Sequence, residues 1–170
     1  DKNSNRPQFA SSSDRYETQD NQETMNVDLT LNMDGVKIVK RFQFSQDGYD
    51  VSVQYLINNL TSSEFRANFY GQIKRDSKPP AGGSSGLGAQ PYLGAALREP
   101  ETNYAKYDFS EIAEGSVKTS ITGGWITMIQ HYFIGAWIPP TGDQNRYELR
   151  KVKEEDVYLM SFIGAPIIVD

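Results

Sequence analysis

The sequence predicts a nearly all-β protein whose strands run antiparallel. Apolar and polar residues alternate along several stretches, which is the pattern of strands with one buried face. Short turn sequences such as Asp-Gly separate these stretches, and turns of this kind join neighbouring antiparallel strands. We find no amphipathic pattern that would support a helix longer than two turns. The 170 residues are 38% hydrophobic and 23% charged, which suits one globular domain with its own core.

The first predicted hairpin is the clearest local signal. Residues 25–33 place Met, Val, Leu, Leu and Met at alternate positions, and residues 36–44 form the returning strand. Asp34 and Gly35 lie between them, and both residue types tolerate the positive φ values of a tight hairpin turn. The core side of the returning strand is predicted to consist of Val36, Ile38, Phe42 and Phe44.

Two more strands are predicted to follow this hairpin. After a turn at Asp47 and Gly48, apolar or aromatic residues occupy every second position over residues 49–57, beginning with Tyr49. Residues 65–74 are predicted to form a fourth strand. Four successive strands joined by short turns predict an antiparallel meander rather than a β-α-β unit.

Two polar segments interrupt the pattern of strands. Residues 1–23 are rich in Ser, Asn and Gln, so we predict a loosely ordered N-terminal segment followed by a β domain over residues 24–170. Residues 77–96 are rich in Pro, Gly and Ser and predict a long loop. Loops of this length usually have a function or are mobile.

Residues 123–140, GGWITMIQHYFIGAWIPP, form the longest apolar run. This run contains both tryptophans, Trp125 and Trp137, and the only histidine, His131. Gln130 and His131 interrupt it, and it is shorter than the about 20 mostly apolar residues that a membrane span needs. Its Ile, Thr, Tyr, Phe and Trp content predicts a buried pair of strands at the centre of a sheet, with His131 packed and hydrogen-bonded.

The C-terminal third continues the β pattern. Strands are predicted over residues 146–152 and 157–163, with a turn at residues 140–143 before them and an acidic turn at residues 154–156 between them. Residues 98–114 have a mixed pattern. Their buried positions are predicted to be Tyr104, Tyr107, Phe109 and Ile112.

Charge and cysteine content exclude several classes of function. The net charge is −5 and no cluster of Lys and Arg occurs, which argues against binding of nucleic acid or of anionic lipid headgroups. Without cysteine the chain has neither disulfides nor thiolate ligands for a metal. A single histidine and the absence of a calcium-loop pattern leave no metal site to predict.

No motif in the sequence indicates catalysis. Residues 82–88, GGSSGLG, are not followed by the Lys and Ser or Thr of a phosphate-binding loop, so a flexible loop is the better interpretation. No serine nucleophile accompanies His131 in a recognisable motif. Asn59 begins a glycosylation sequon, but three-residue matches are common by chance. We predict no catalytic residue and no cofactor.

An aromatic β surface is the remaining candidate for function. Such side chains line clefts for sugars, peptides or apolar chains, although aromatic residues also dominate β cores. Phe133 belongs to the same group of aromatic residues. The predicted partner or cleft surface consists of Tyr70, Tyr92, Trp125, Gln130, His131, Tyr132 and Trp137.

Four sequence blocks are similar to one known family. GGWITMIQHYFIGAWIP resembles the pattern GGW-aliphatic-x-M-aliphatic-QHYF-x-x-AWIP of the large periplasmic domain in the Gram-negative, YidC-type members of the YidC/Oxa/Alb family of inner-membrane insertases. The other blocks are KRFQFSQDGYDVSVQYLINN, FYGQIKR and YLGAALREPETNYAKYDFSEI, at residues 40–59, 69–75 and 92–112. Their order and spacing fit the family from about residue 7 to the end of the chain.

The resemblance implies a fold, a location and partners. The fold is an antiparallel β-supersandwich of the galactose-mutarotase-like type, incomplete at both ends in this chain, which we expect to be a piece of a longer protein. The location is the periplasmic side of the bacterial inner membrane, on a multi-pass insertase that works alone or with the Sec translocon. Contact with SecD/SecF is implied for the region corresponding to residues 88–139. Insertase activity itself would belong to the membrane part of the parent, together with the functional arginine of its hydrophilic groove.

Three hypotheses for function follow. The first is a non-catalytic periplasmic domain that binds SecD/SecF or segments of nascent membrane proteins. The alternative is a carbohydrate-binding or mutarotase-like epimerase domain, in which His131 and Glu99 or Glu111 would act as acid and base. The third is a spacer without a binding partner.

Overall fold

The computed structural model describes residues 7–79 and 92–170, and it confirms the mainly β, antiparallel class. Neighbouring strands pair antiparallel wherever their register is defined. The described elements are β1 (Ala10–Ser11), β2 (Thr24–Met33), β3 (Val36–Ser45), β4 (Val51–Asn59), β5 (Phe65–Arg75), β6 (Leu93–Leu97), β7 (Ala105–Tyr107), α1 (Phe109–Glu114), β8 (Val117–Thr122), β9 (Ile126–Gln130), β10 (Phe133–Trp137), β11 (Gln144–Lys151) and β12 (Tyr158–Val169).

The chain divides into two compact units. Unit 1 comprises Asp1–Arg66 with Ile168–Asp170, and unit 2 comprises Ala67–Ile167. The division therefore falls within β5 and β12. The predicted boundary between a polar segment, residues 1–23, and a domain over residues 24–170 stays a prediction.

Unit 1 contains the sheet β1-β2-β3-β4. The turn between β2 and β3 is the predicted one, and Asp34 and Gly35 have φ values of 49° and 82°. Two positive φ values are those of a type I′ turn, whose twist matches antiparallel strands. The resulting register places Met33 opposite Val36. The local turn thus fixes which side chains share a face.

The two faces of this sheet differ in polarity. Leu31, Ile38 and Ile57 are in register on one face, and on the other face the Arg41 guanidinium binds the Asp28 carboxylate through two hydrogen bonds of 2.8 and 2.7 Å. Among the predicted core residues of β3, Val36 is buried, Ile38 and Phe42 are half-buried and Phe44 is exposed. Tyr49, predicted to begin the next strand, precedes β4 and is fully exposed.

The prediction of a four-stranded meander is wrong for its fourth strand, β5. β2, β3 and β4 are consecutive neighbours, but β5 belongs to the sheet β5-β12-β11-β8. The reason is the apolar face of β5, because Phe69 stacks on Phe162 of β12 with ring centroids 5.5 Å apart, and Ile73 packs against the same core. Alternation predicted the strand correctly and said nothing of which sheet it would join.

Unit 2 contains two sheets, β5-β12-β11-β8 and β10-β9-β6-β7. Side chains from both sheets and from α1 form one hydrophobic core, which is the arrangement of a β-sandwich. The buried members of the core are Ala95, Leu97, Phe109, Ile112, Ile126, Tyr147, Leu149, Tyr158, Met160 and Phe162.

A strand replaces the C-terminal end of the predicted loop. β6 begins at Leu93 and pairs with both β9 and β7, and Ala95, Ala96 and Leu97 are fully buried. Small residues in this stretch suggested a loop. They are needed because the strand is covered on both faces, and a Cβ atom at Gly94 would lie 2.6 Å from the Tyr92 hydroxyl oxygen. Residues 80–91 of the predicted loop lie outside the described residues.

Residues 98–122 also differ in part from the prediction. Phe109 and Ile112 are buried as expected and Tyr107 is half-buried, whereas Tyr104 is 49% exposed. β8 was not predicted from the sequence, and it pairs with β11 at the edge of its sheet. The strands predicted over residues 146–152 and 157–163 are present as β11 and β12, and the turn at residues 140–143 is closed by a 3.2 Å hydrogen bond from Asp143 N to Pro140 O.

Candidate functional site

The apolar run at residues 123–140 folds as the hairpin of β9 and β10. Gln130 is opposite Phe133, so His131 and Tyr132 form a two-residue loop. His131 has a φ of 52°, a left-handed backbone conformation that is uncommon for residues other than glycine. Its side chain is exposed, and Tyr132 is 87% exposed. The prediction of a packed, buried histidine is therefore wrong, because the turn places position 131 at the hairpin tip.

The two strands of the hairpin have different surroundings. β9 lies inside its sheet between β6 and β10, as predicted, but β10 is the edge strand and not a central one. Phe133 and Ile134 of β10 are 74% and 66% exposed, and Ile138 just beyond the strand is 74% exposed. Apolar side chains on an edge strand are unusual, since edges are normally protected with charges or prolines. The hairpin tip and this edge form an exposed apolar surface.

A row of aromatic rings and one ammonium group lies on the same sheet. The Lys106 ammonium is 4.5 Å from the ring centroid of Tyr92 and 5.7 Å from that of Tyr104. The Tyr104 ring in turn lies 5.6 Å from the Trp125 ring, centroid to centroid. Each of these contacts is within the range of cation–π or aromatic pairing. We call Tyr92, Tyr104, Lys106 and Trp125 the Lys106 ladder.

Strand register places the ladder and part of the β10 edge on one face. Lys106 is opposite Ala96, which is opposite Thr127, which is opposite Ala136 of β10. Directly opposed residues project to the same face of a sheet. Ile134 shares the parity of Ala136 along β10 and so projects to this face too. The core uses the other parity, including Ala95, Leu97 and Ile126.

Tyr92 of the ladder and the neighbouring Tyr107 both donate hydrogen bonds. The Tyr92 hydroxyl donates to the carbonyl oxygens of Ala95 at 3.0 Å and Tyr107 at 2.9 Å, and burial raises the pKa of Tyr92 to about 12. The Tyr107 hydroxyl donates to Glu99 Oε1 at 2.6 Å, and this bond to a carboxylate, with burial, raises the pKa of Tyr107 to about 12. Both phenols therefore stay protonated donors at neutral pH.

Three residues of the predicted surface lie elsewhere. The Gln130 side-chain oxygen accepts a hydrogen bond from Arg75, whose guanidinium is 5.8 Å from the Phe109 ring centroid. Trp137 is half-buried against Phe69 and Phe162, with ring centroids 6.2 and 5.9 Å away. Tyr70 projects from β5 in the other sheet and is half exposed.

The predicted residues thus fall into separate groups. Tyr92 and Trp125 come together through the ladder, and His131 and Tyr132 share the hairpin tip. Whether any of them binds a partner stays a prediction. Lys106, Ile134 and Ile138 were not predicted as part of this surface, and Tyr104 was predicted to lie in the core. The available signal was the period of two through Tyr104 and Lys106, which puts both on the face opposite to Tyr107.

The carboxylates proposed for acid–base chemistry are engaged locally. Glu99 accepts the bond from Tyr107, and Glu111 caps α1 by accepting a 2.8 Å hydrogen bond from Asp108 N. Within residues 7–79 and 92–170, no group of three or more His, Cys, Asp or Glu side chains is arranged to hold a metal ion. No helix in that part of the chain has the length and hydropathy to cross a membrane.

The sequon at Asn59 has a structural role. Asn59 Oδ1 accepts hydrogen bonds from Thr61 N at 3.1 Å and Thr61 Oγ1 at 2.8 Å, and Asn59 Nδ2 donates to Ser63 O at 2.7 Å and Val169 O at 3.1 Å. Both ends of the side-chain amide are therefore occupied in holding the loop after β4.

Comparison with known proteins gives a consistent family assignment. A family model described as the YidC periplasmic domain matches residues 1–170. The chain is 46% identical over 165 residues to the membrane protein insertase YidC of Cellvibrio japonicus strain Ueda107, covering 97% of the chain and 30% of that relative. It is 38% identical over 164 residues to the YidC of Pseudomonas fluorescens strain SBW25, covering 96% of the chain and 29% of that relative.

A third relative agrees with these two. Identity to the YidC of Saccharophagus degradans strain 2-40 is 44% over 138 residues, covering 81% of the chain and 24% of that protein. The chain thus spans less than a third of the length of the curated relatives it matches. Because the family model covers the whole sequence, this chain belongs to the YidC periplasmic domain family.

Proposed function

We propose that this chain is a non-catalytic binding domain on the periplasmic side of the bacterial inner membrane, carried by a membrane protein insertase. The observation that supports it most is the exposed apolar surface of the hairpin tip and the β10 edge, with the Lys106 ladder on the same sheet. Ile134 is 66% exposed on an edge strand, and Tyr104 is 49% exposed. Concentrated apolar exposure of this kind marks surfaces that other proteins cover.

The shape of the surface supports recognition of another polypeptide. An edge strand offers unpaired backbone groups that a partner strand can bind, and neighbouring apolar side chains supply affinity. Tyr and Trp are favoured at protein interfaces because they combine a large apolar area with a polar group. Lys106 adds a charge held in place by two rings.

The family resemblance suggests which polypeptides bind. It implies contact with SecD/SecF through residues 88–139, and both the ladder and the hairpin tip fall within this range. We therefore propose SecD/SecF as the primary partner, with nascent membrane proteins reached through the parent insertase and the Sec translocon. In this proposal the domain does no chemistry and needs no cofactor.

The proposal is tested by copurification of SecD and SecF with the full parent protein. We expect the double variant Tyr104→Ala, Ile134→Lys to reduce the recovered SecD/SecF at least about tenfold, because it removes an aromatic contact and places a charge on the apolar edge. A matched control is Tyr49→Ala, Val51→Lys, which alters an exposed tyrosine and an exposed edge-strand residue of unit 1. Equal recovery with both double variants, at unchanged thermal stability, would argue against the proposed surface.

The sugar-binding alternative has its own test. It requires His131 and a carboxylate to meet at a sugar hydroxyl, and the engagement of Glu99 with Tyr107 and of Glu111 with α1 gives it no support. Calorimetric titration with common hexoses is expected to give no heat of binding. A saturable heat that is lost in His131→Ala would favour the carbohydrate function instead.

A further inference from the structure

A second surface lies on the other sheet of unit 2, away from the Lys106 ladder. A cleft of about 540 Å³ opens on the face of β5-β12-β11-β8 that does not contribute to the core. The side chains that line it include Tyr70, Lys118, Ser120, Arg146, Glu148 and Ile163.

Strand register organises the cleft in two rows. Arg146 of β11 is opposite Ser120 of β8 and Ile163 of β12. Two residues along β11, Glu148 is opposite Lys118 and Ser161. Residues two apart on a strand project to the same face, so these two rows lie side by side.

The charges in the cleft are unbalanced. Glu148 is the shared partner of Lys118, at 3.3 Å, and of Arg150, at 3.8 Å. The Arg146 side chain is exposed, and within the described residues it makes neither an ion pair nor a side-chain hydrogen bond. Two cations of the cleft lining, Lys118 and Arg146, therefore face one carboxylate, in a chain whose net charge is −5. This local excess of positive charge suits an anionic ligand.

The opposite side of the cleft is apolar. Tyr70 of β5 is 52% exposed, and Ile163 of the intervening strand β12 is half-buried. A ligand that satisfies both sides carries a carboxylate close to an apolar group. The guanidinium of Arg146 presents a planar fork that matches a carboxylate through two hydrogen bonds.

We propose that this cleft binds an extended peptide segment in which an Asp or Glu side chain neighbours an apolar one. Among the described strands β8 lies at the edge of this sheet, and an extended chain can pair with a strand in that position. A bilayer of anionic lipid is the less suitable occupant, because such an extended surface faces the whole domain with its net charge of −5, whereas a short peptide contacts only the cleft. This cleft and the surface of the proposed function lie on different sheets, so each can be tested without the other.

The test is fluorescence anisotropy of the 170-residue chain with a labelled eight-residue peptide of alternating Glu and Val. We expect saturable binding that weakens with salt and that weakens at least about tenfold in Arg146→Gln, from the loss of a charge-assisted bidentate contact. The control variant is Lys37→Gln, which removes an exposed cation from β3 in unit 1 and should bind as the original chain does. The control peptide alternates Gln and Val and should bind at least about tenfold more weakly.

Several results would overturn the proposal. Equal binding of the Gln–Val peptide, or equal binding by Arg146→Gln, would show that Arg146 does not recognise a carboxylate of the ligand. Sedimentation of the chain with phosphatidylglycerol vesicles that depends on Arg146, without binding of the peptide, would assign the cleft to lipid. Concentration-dependent dimerisation that Arg146→Gln abolishes would assign it to a second copy of the chain.

Discussion

At the scale of single residues, Gly71 has the least room for a side chain among the glycines in residues 7–79 and 92–170. A Cβ atom there would overlap the Phe162 ring and lie 2.9 Å from the Trp137 ring. The two rings, with Phe69, pack over the glycine of β5. The absence of a side chain at position 71 thus lets three aromatic side chains close the core.

We predict that Gly71→Ala lowers the free energy of unfolding by about 1–3 kcal/mol, because the rings must shift from well-packed positions. Urea unfolding followed by tryptophan fluorescence measures the change. Gly135→Ala is the matched control in β10, since its Cβ would lie 3.9 Å from Ile73, an ordinary contact. Equal unfolding midpoints for the two variants would contradict this account of the core.

Tyr147 is a buried phenol with a defined acceptor. It is 1% exposed and donates a 2.6 Å hydrogen bond to Gly123 O, and burial raises the pKa of Tyr147 to about 12. The unfolded phenol titrates near pH 10. Because the folded state holds the phenolic proton more tightly than the unfolded state, the protonated phenol stabilises the fold. This stabilisation is complete below pH 10 and is lost as the pH rises towards 12.

We therefore predict that stability falls between pH 10 and 12, and that Tyr147→Phe makes this fall less steep. At pH 8 the same variant should lose about 1 kcal/mol, the net value of one buried hydrogen bond. Unfolding free energies measured at pH 8 and between pH 10 and 12 test the two statements. Tyr49→Phe, at a fully exposed position, should leave both values unchanged; an identical pH profile in the original chain and Tyr147→Phe would refute the assignment.

At the scale of elements, α1 shows how a short helix is held in a β protein. Asp108 Oδ1 accepts a 2.9 Å hydrogen bond from Glu111 N, and the Glu111 carboxylate accepts one from Asp108 N, which together form a capping box. Hydrogen bonds from Ser110 and Glu111 lower the pKa of Asp108. α1 in turn delivers Phe109 and Ile112 to the core.

We predict that Asp108→Ala destabilises the domain and that Asp108→Asn, which keeps a capping oxygen, destabilises it less. Since the depressed pKa of Asp108 stabilises the folded state above the pKa of the unfolded carboxyl, the contribution of the carboxylate is lost as the pH falls through the folded value. The observable is the thermal midpoint of each variant at pH 7 and at acidic pH. Indistinguishable midpoints for the two variants at pH 7 would show that the cap contributes nothing.

The elements also show what the sequence can predict. The hairpin of β2 and β3 was predictable because alternation and the Asp34-Gly35 turn are local. β6 was not, because the burial of Gly94 and Ala95 on both faces depends on distant strands. The sheet joined by β5 and the exposure of Tyr104 likewise depend on distant packing. For the candidate site, the apolar strand pair was predictable, whereas the exposed tip at His131 and the position of Lys106 required the register of four strands.

At the scale of the whole chain, burial is distributed unevenly between the units. The hydrophobic core of buried residues lies in unit 2, in strands such as β6, β11 and β12. In unit 1 the apolar face of β2, β3 and β4 is mainly half-buried, and Val36 is a buried exception. Local stability follows burial and contact density.

We predict that amide hydrogens of β11 and β12 exchange more slowly than those of β2, β3 and β4. Hydrogen–deuterium exchange of the 170-residue chain followed by mass spectrometry measures this difference. Equal protection of both sets of strands would show that the chain opens only as one cooperative unit, contrary to the expectation from burial.

The most direct test of the proposed binding role is site-specific photo-crosslinking in living cells that make the full parent protein. A photoreactive amino acid is placed at Tyr104, Ile134 or Ile138, and at Tyr49 as an equally accessible control in unit 1. Our account predicts crosslinks to SecD or SecF from the first three positions and none from position 49. Absence of crosslinks from all three positions, or equal crosslinking from position 49, would contradict the claim that this surface binds a protein partner.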